Sequence, residues 1–194
     1  APGISSYAWS MYELNDLKEE IQRSIVNGRV DDRASSELTR IRKRMMLIED
    51  RIKQKLNDIL RSPQYAQMLQ DTLVSTREGR YVVPVQRKYM KKFSGRVMDM
   101  SSTGSTVFME PAAITELQEE MSLLQIEESN EVYRILASLT SQVAEHAHEL
   151  SINMEAMAHY DFVFAKAKYS RSMDMNPVAL NNLGRITINQ GRHP

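Results

Sequence analysis

The sequence predicts a mainly α-helical protein: an elongated arm of long antiparallel helices, with a small antiparallel β-sheet inserted between two of them. Three segments without glycine or proline indicate the helices, namely residues 4–27, 29–62 and 112–176. Glycine and proline cluster instead between 63 and 111, where short runs alternate apolar and polar residues, as β-strands do. A single helix over 112–176 is too long for a compact globule, so we expect an elongated molecule, a break near 148–153, or both.

The second segment has the clearest helical pattern. Its apolar residues recur at intervals of three or four, which places them on one face of a helix that packs on a neighbour. These residues are Leu38, Ile41, Met45, Ile48, Ile52, Leu56 and Ile59. Asp32 or Ser35 is the expected N-cap, and Pro63 marks the end of the helix or a kink.

The third segment is predicted to begin at Pro111, because proline is favoured in the first turn of a helix. An apolar stripe again recurs at helical spacing, with Ile114, Leu117, Met121 and Leu124 in its first part. Glu128 stands where this stripe would need an apolar residue.

The residues from 72 to 110 are predicted to form strands. Tyr81, Val83 and Val85 alternate with their neighbours and should share one face. The runs 95–100 and 106–110 should pair as a hairpin, with Gly104 supplying the positive φ of a tight turn. Pro84 has no N–H, so we expect its strand to lie at an edge or to leave that side unpaired.

Several classes of function are disfavoured by the composition. The sequence has no cysteine and no Gly-Lys pair, so a thiolate metal site and a P-loop are excluded. The one Glu-x-x-His, Glu145 to His148, is too little for a di-iron site, and we expect no metal. There is no secretory signal or membrane-spanning apolar run. We therefore expect a cytoplasmic protein with no metal site and no membrane partner.

A basic segment in the insert is the strongest functional signal. Its cationic residues, opposed between positions 77 and 96 by Glu78 alone, are Arg77, Arg80, Arg87, Lys88, Lys91, Lys92 and Arg96. Tyr89 and Phe93 are interleaved with them as candidates for stacking on bases. Such a segment can bind a phosphate backbone, although a solvated loop whose charges only keep it soluble has the same pattern. Residues 111–161 carry ten acids against one base, which should confine any contact to the insert.

At these positions the chain resembles the second bacterial MutS lineage, the recombination-suppressing MutS-like proteins that end in an Smr nuclease domain. The motif runs from "TREGRYVVPV" to "GRVMDMSSTGSTVFMEP", with Thr103 where most members have serine. The matching residues are Arg77, Gly79, Arg80, Tyr81, Pro84, Val85, Gly95, Val97, Asp99, Ser101, Gly104, Thr106, Phe108, Glu110 and Pro111. Further similarity lies in "NGRVDDRASSELTRIRKRM", "YDFVFAKAKYS" and "ITINQGRHP".

The resemblance implies a division of the chain into parts. Residues 1–71 would be the first lever helices, 72–110 the β clamp, 111–176 the return lever helix, and 177–194 the connection and first strand leading to an ATPase domain. ATP and Mg would bind in that ATPase domain, outside this chain, so the resemblance implies a segment with no catalytic residues and no cofactor of its own. The intact protein would be a homodimeric, DNA-dependent ATPase with a separate endonuclease domain, acting on branched recombination intermediates.

Three functions remain open at this stage. The first is a non-catalytic DNA-binding clamp and lever that contacts the backbone of branched or duplex DNA without sequence specificity. The second is a module that binds the ribosome through rRNA, because some members of the lineage are linked to collided ribosomes. The third is a purely structural helical interaction arm.

Overall fold

The structure, a computed structural model, describes residues 8–189 and residue 191. These residues form two compact units: Lys18–Thr140, and residues 8–17 together with 141–189 and 191. The fold is mainly α-helical with antiparallel β elements, as the sequence predicts. None of the helices in the described range has the length and apolar character needed to cross a membrane.

Residues 8–9 are helical, and five further helices and six strands, with two short 3-10 turns, make up the rest of the described regular structure. The helices are α1 Asn15–Ser24, α2 Ser36–Arg61, α3 Pro63–Ala66, α4 Ala112–Glu145 and α5 Ala147–Ser172. The strands are β1 Ile25–Val26, β2 Arg29–Val30, β3 Ser75–Arg77, β4 Arg80–Gln86, β5 Gly95–Met100 and β6 Thr106–Pro111. The 3-10 turns are Asp32–Ala34 and Arg87–Tyr89.

Helix α2 begins and ends as its sequence predicts. Ser35 is the N-cap, and its Oγ accepts a hydrogen bond from the Leu38 N–H at 2.9 Å. The helix ends at Arg61, and Pro63 opens the short helix α3. Six of the seven residues of the apolar stripe are buried, and Met45 is half-buried against them. The hydrophobic face is therefore what fixes this helix in the unit.

Helices α2 and α4 lie antiparallel. Ser35 at the start of α2 donates to Glu131 Oε1 at 2.6 Å, whereas Arg44, further along α2, pairs with the earlier Glu120. Between them Arg42 Nε lies 2.7 Å from Glu128 Oε1. This contact explains why an acid interrupts the apolar stripe of α4: at this level the two helices meet through an ion pair.

The long third segment is broken, but just before the predicted range. His146 has φ −100° and ψ 17°, outside helical geometry, and it separates α4 from α5. The predicted start at Pro111 is also wrong by one residue, because Pro111 is the last residue of β6 and α4 begins at Ala112.

Residues 25–30 correct the predicted helices of the first two segments. Ile25 pairs with Val30 and Val26 with Arg29 in a two-stranded hairpin. The turn is Asn27-Gly28, with φ of 50° and 74°. Asn-Gly between apolar residues is a strong hairpin signal, and it outweighs the helical propensity of its flanks.

The sheet of the insert has the strand order β3-β4-β6-β5, with every neighbouring pair antiparallel. The predicted hairpin of β5 and β6 is confirmed, with Gly104 at φ 68°. Strand β4 is interior, so the edge alternative for Pro84 is wrong. The Pro84 carbonyl accepts from the Gln70 N–H at 2.8 Å. The nitrogen of Pro84, which has no hydrogen to donate, lies on the same side of the strand, because the N and C=O of one residue point the same way in antiparallel pairing.

One face of this sheet belongs to the main core. Val83 and Val85 of β4, with Val107 and Met109 of β6, are almost completely buried. They cluster with the buried stripe of α2 from Ile41 to Ile59 and with Ile114 and Leu124 of α4. The sheet is thereby held on the helix pair by apolar contact.

The predicted strand after residue 176 is not formed in the described range. Residues 177–189 and 191 have no helix or strand. Ile186 and Ile188 are exposed there, at 88% and 76%. A strand needs a neighbouring strand for its backbone groups, and the described residues supply none at this position.

Candidate nucleic-acid interface

The basic loop, residues 87–94, connects β4 to β5 across the intervening strand β6. It begins with the 3-10 turn Arg87–Tyr89. The N–H groups of Lys92 and Phe93 then bond to the Tyr89 carbonyl at 2.8 and 2.9 Å. These local bonds give the loop two sides, because residues three or four apart lie on the same side of a helical turn.

The inner side of the basic loop is apolar and faces the core. Phe93 is 4% exposed, and its ring lies 5.4 Å from that of Tyr65. Tyr89 is half-buried, and the Lys88 ammonium lies 4.9 Å from its ring centroid. The prediction that Phe93 stacks on a base is therefore wrong, since packing against Tyr65 occupies its ring.

The outer side of the basic loop carries Arg87, Lys88, Lys91 and Lys92, all exposed. None of these four side chains forms an ion pair with any residue that the structure describes. Arg87 Nη1 makes only a 3.3 Å hydrogen bond to the Gly104 carbonyl. The apolar inner side thus anchors a cluster of four exposed positive charges, of which Lys88 lies against the Tyr89 ring.

The other three predicted arginines lie on the face of the sheet away from the core and have partners there. Arg77 Nε donates to Asp99 at 2.8 Å, and its guanidinium lies 4.0 Å from the centroid of the Phe108 ring. Arg80 contacts both carboxylate oxygens of Glu110, at 2.5 and 3.0 Å.

Glu110 is completely buried, and its charge is retained because of the arginines around it. Arg80 is largely buried beside it, and the exposed Arg96 approaches the same carboxylate at 3.5 Å. Burial by itself would raise the pKa of Glu110, but the hydrogen bonds from Arg80 and Thr115 outweigh it and leave the pKa lowered. Arg80 is therefore first of all the counter-ion of a buried acid, which corrects its assignment as a phosphate contact.

The two close turns of the sheet depend on motif residues. Gly79 follows Glu78 in the β3–β4 turn, and both have positive φ. Ser101 closes the β5–β6 turn, because its N–H bonds to the Thr106 carbonyl and its Oγ accepts from the Thr106 N–H.

Gly95 allows β5 to approach β6 closely. A Cβ at this position would lie 2.3 Å from the Glu110 carbonyl oxygen and 3.2 Å from Pro111 Cα. Both are backbone atoms, so no side-chain movement can relieve the overlap.

Gln118 makes a structural contact between α4 and the sheet that the sequence pattern does not reveal. It is 4% exposed in α4, where its Oε1 accepts from the Tyr81 N–H at 2.6 Å and its Nε2 donates to the Tyr81 carbonyl at 3.1 Å. The amide thus pairs with the β4 backbone as a neighbouring strand would. A glutamine in an amphipathic helix is normally a surface residue, so only the three-dimensional arrangement identifies it.

The described residues contain no group of three or more His, Asp or Glu side chains placed to hold a metal ion. The insert instead presents a cluster of positive charges on a folded sheet. Such a cluster attracts extended anions electrostatically.

The structure is mainly helical with a β insert that carries a basic loop and the motif residues, and comparison with known proteins shows which family shares this sequence. The chain is 40% identical over 192 residues to "Endonuclease MutS2" of Geobacillus thermodenitrificans, covering 98% of this chain and 24% of that protein. It is 36% identical over 194 residues to "Putative endonuclease MutS2" of Bacillus subtilis, covering 100% and 25%. It is 43% identical over 182 residues to "Endonuclease MutS2" of Halothermothrix orenii, covering 93% of this chain and 23% of that protein.

No protein-family model matches the chain. Similarity over nearly its whole length to these proteins nevertheless confirms the resemblance, and the chain belongs to the MutS2 family. It spans about a quarter of the length of the curated relatives it matches.

Proposed function

We propose that this chain is a non-catalytic nucleic-acid clamp, in which the basic loop binds the phosphate backbone of DNA without reading its sequence. The sheet carries the loop, and the helix pair of α2 and α4 carries the sheet. In the longer protein, the same segment would serve a DNA-dependent ATPase that suppresses recombination, with ATP and Mg bound in a different domain.

The observation that supports this proposal is the unpaired state of the loop cations. Arg87, Lys88, Lys91 and Lys92 are exposed, and no acid among the described residues neutralises them. Four like charges held close together repel one another, and binding to a polyanion relieves this repulsion. The cations in turn neutralise phosphates and release the counterions of the nucleic acid. The buried Phe93 beneath them keeps the loop in place at no cost to their exposure.

The geometry favours backbone contact over base reading. Phosphate contacts position a protein on nucleic acid, whereas sequence is read by side chains that reach base edges. The loop offers three lysines and one arginine, and the ring of Phe93 is unavailable for stacking. Binding should therefore tolerate any sequence and depend steeply on salt.

The test is a fluorescence-anisotropy titration of this chain against labelled duplex DNA of several sequences at a series of salt concentrations. If each of the four loop cations neutralises one phosphate, log K should fall with log salt at a slope of about −3.6. Changing all four to glutamine should bring the slope close to zero and weaken binding equally on every sequence.

A second four-glutamine variant is the matched control. Lys43, Arg51, Lys55 and Arg61 are exposed along α2 and make no ion pair among the described residues. Their replacement changes the net charge by the same amount, but this variant should retain most of the wild-type slope of log K against log salt. If both variants lose the same slope, or neither does, the basic loop is not the clamp. Competition with ribosomes in the same assay would show whether rRNA is the preferred source of phosphates.

A further inference from the structure

The turn between β5 and β6, residues 101–105, lies directly beside the basic loop. The Arg87 N–H bonds to the Ser105 carbonyl at 3.0 Å, and Arg87 Nη1 reaches the Gly104 carbonyl at 3.3 Å. One residue thus joins the two segments through both its backbone and its side chain. Any extended anion on Arg87 would also pass close to this turn.

The turn holds more hydrogen-bond donors than its own fold uses. Its closing bonds employ the N–H groups of Ser101, Gly104 and Thr106. The N–H groups of Ser102, Thr103 and Ser105 make no hydrogen bond with any described residue, and neither does the Ser102 hydroxyl. These three residues are exposed, so their unused donors point into the solvent beside the cationic loop.

The turn itself has no charge, and the acid nearest to it in sequence has a partner. Asp99 is bound by Arg77 at 2.8 Å. Backbone N–H groups and serine or threonine hydroxyls are common donors to phosphate oxygens in nucleic-acid complexes. A neutral, donor-rich turn next to four cations therefore has the composition of a phosphate contact.

We infer that the turn 101–105 is a second phosphate-contact element of the same interface, which binds the nucleic-acid backbone through neutral donors next to Arg87. This inference rests on the proposed function of the basic loop. The two elements would act differently: the loop supplies the salt-dependent part of the affinity, and the turn adds contacts that release no counterion.

Three substitutions of Ser102 test this inference in the salt titration with duplex DNA. Ser102→Ala removes one neutral donor and should weaken binding roughly two- to tenfold with the slope unchanged. Ser102→Lys adds a charge at the contact, so binding should tighten and the slope should steepen by about 0.9. Ser102→Glu should weaken binding, most strongly at low salt.

Ser138 is the matched control, because it is an exposed serine of α4 close in sequence to Leu139, which packs at the Leu38 end of α2. Ser138→Lys and Ser138→Glu change the net charge identically and should leave affinity and slope nearly unchanged. Circular dichroism of each variant checks that it is folded.

The outcomes separate the two proposals. If the wild type binds with a steep slope that depends on the loop cations, but Ser102→Lys and Ser102→Glu behave like the Ser138 variants, the turn is not a contact and the clamp remains. If the wild type binds no duplex DNA at any salt concentration, both the clamp and the turn contact are refuted.

Discussion

The buried ion pair of Arg80 and Glu110 leads to a quantitative prediction about stability. Glu110 is fully buried, and Arg80 bonds both of its oxygens. Removing one partner of a buried pair leaves an uncompensated charge and costs about 3 kcal/mol or more. For a chain of this size, Arg80→Met should lower Tm by roughly 6–12 °C at neutral pH.

Arg96→Met is the matched comparison. Arg96 approaches the same carboxylate, but at 3.5 Å and with about half of its side chain exposed. An exposed pair of this kind contributes about 0–1 kcal/mol, so this variant should lose at most a few degrees. The comparison holds constant the residue type removed and the acid that is left behind.

The pH dependence makes the test sharper. In the wild type the pKa of Glu110 is lowered, so its contribution is present above its unfolded pKa and is lost as pH falls through the folded pKa. In Arg80→Met, burial should raise that pKa above its unfolded value, and the penalty disappears once the carboxyl is protonated. The Tm gap between wild type and Arg80→Met should therefore narrow as pH falls from 7 to 4. A gap that is constant with pH, or equal to that of Arg96→Met, would refute this account.

Two further predictions concern stability. Gly95→Ala places a Cβ 2.3 Å from the Glu110 carbonyl oxygen, so β5 must separate from β6, and calorimetry should show a loss of about 1–3 kcal/mol; an unchanged Tm would contradict the close approach. Hydrogen bonds from Arg134 and then from Ser35 lower the pKa of Glu131 from 4.5 to about 2. The stabilisation by Glu131 should be fully present above about pH 4.5 and should be lost as pH falls towards about 2. The difference in Tm between wild type and Glu131→Gln should therefore be smaller at pH 3 than at pH 7. An equal difference at both pH values would contradict this account.

Local patterns in the sequence predict local structure well in this chain. The stripe from Leu38 to Ile59, the Ser35 cap and the stop at Pro63 each depend on neighbours within a turn or two, and the structure confirms all three. The hairpin around Gly104 is equally local, since its turn chemistry and the alternation of its strands are read directly from the sequence. The missed hairpin at Asn27 also had a local signal, which the long glycine-poor flanks concealed.

The partners of the charged residues could not be predicted in this way. Arg77, Arg80 and Arg96 look identical to the loop cations in a count of charge, yet the strand order places acids beside them. Strand order depends on which strands meet across long stretches of chain, and no short-range spacing encodes it. The sequence therefore predicts that the insert is basic, whereas the fold decides which of its charges are available.

The same contacts explain how a small sheet can serve as a rigid support at the end of long helices. Apolar burial against α2 and α4 is strong but non-directional, so it would permit the sheet to shift on the helix pair. Gln118 of α4 restricts such a shift, because its amide pairs with both backbone groups of Tyr81 in β4. Glu110 adds a second fixed point immediately before α4, since its buried carboxylate is bound by Arg80 of β4. A displacement of α4 should therefore carry β4 with it, and with β4 the basic loop that follows its last residue.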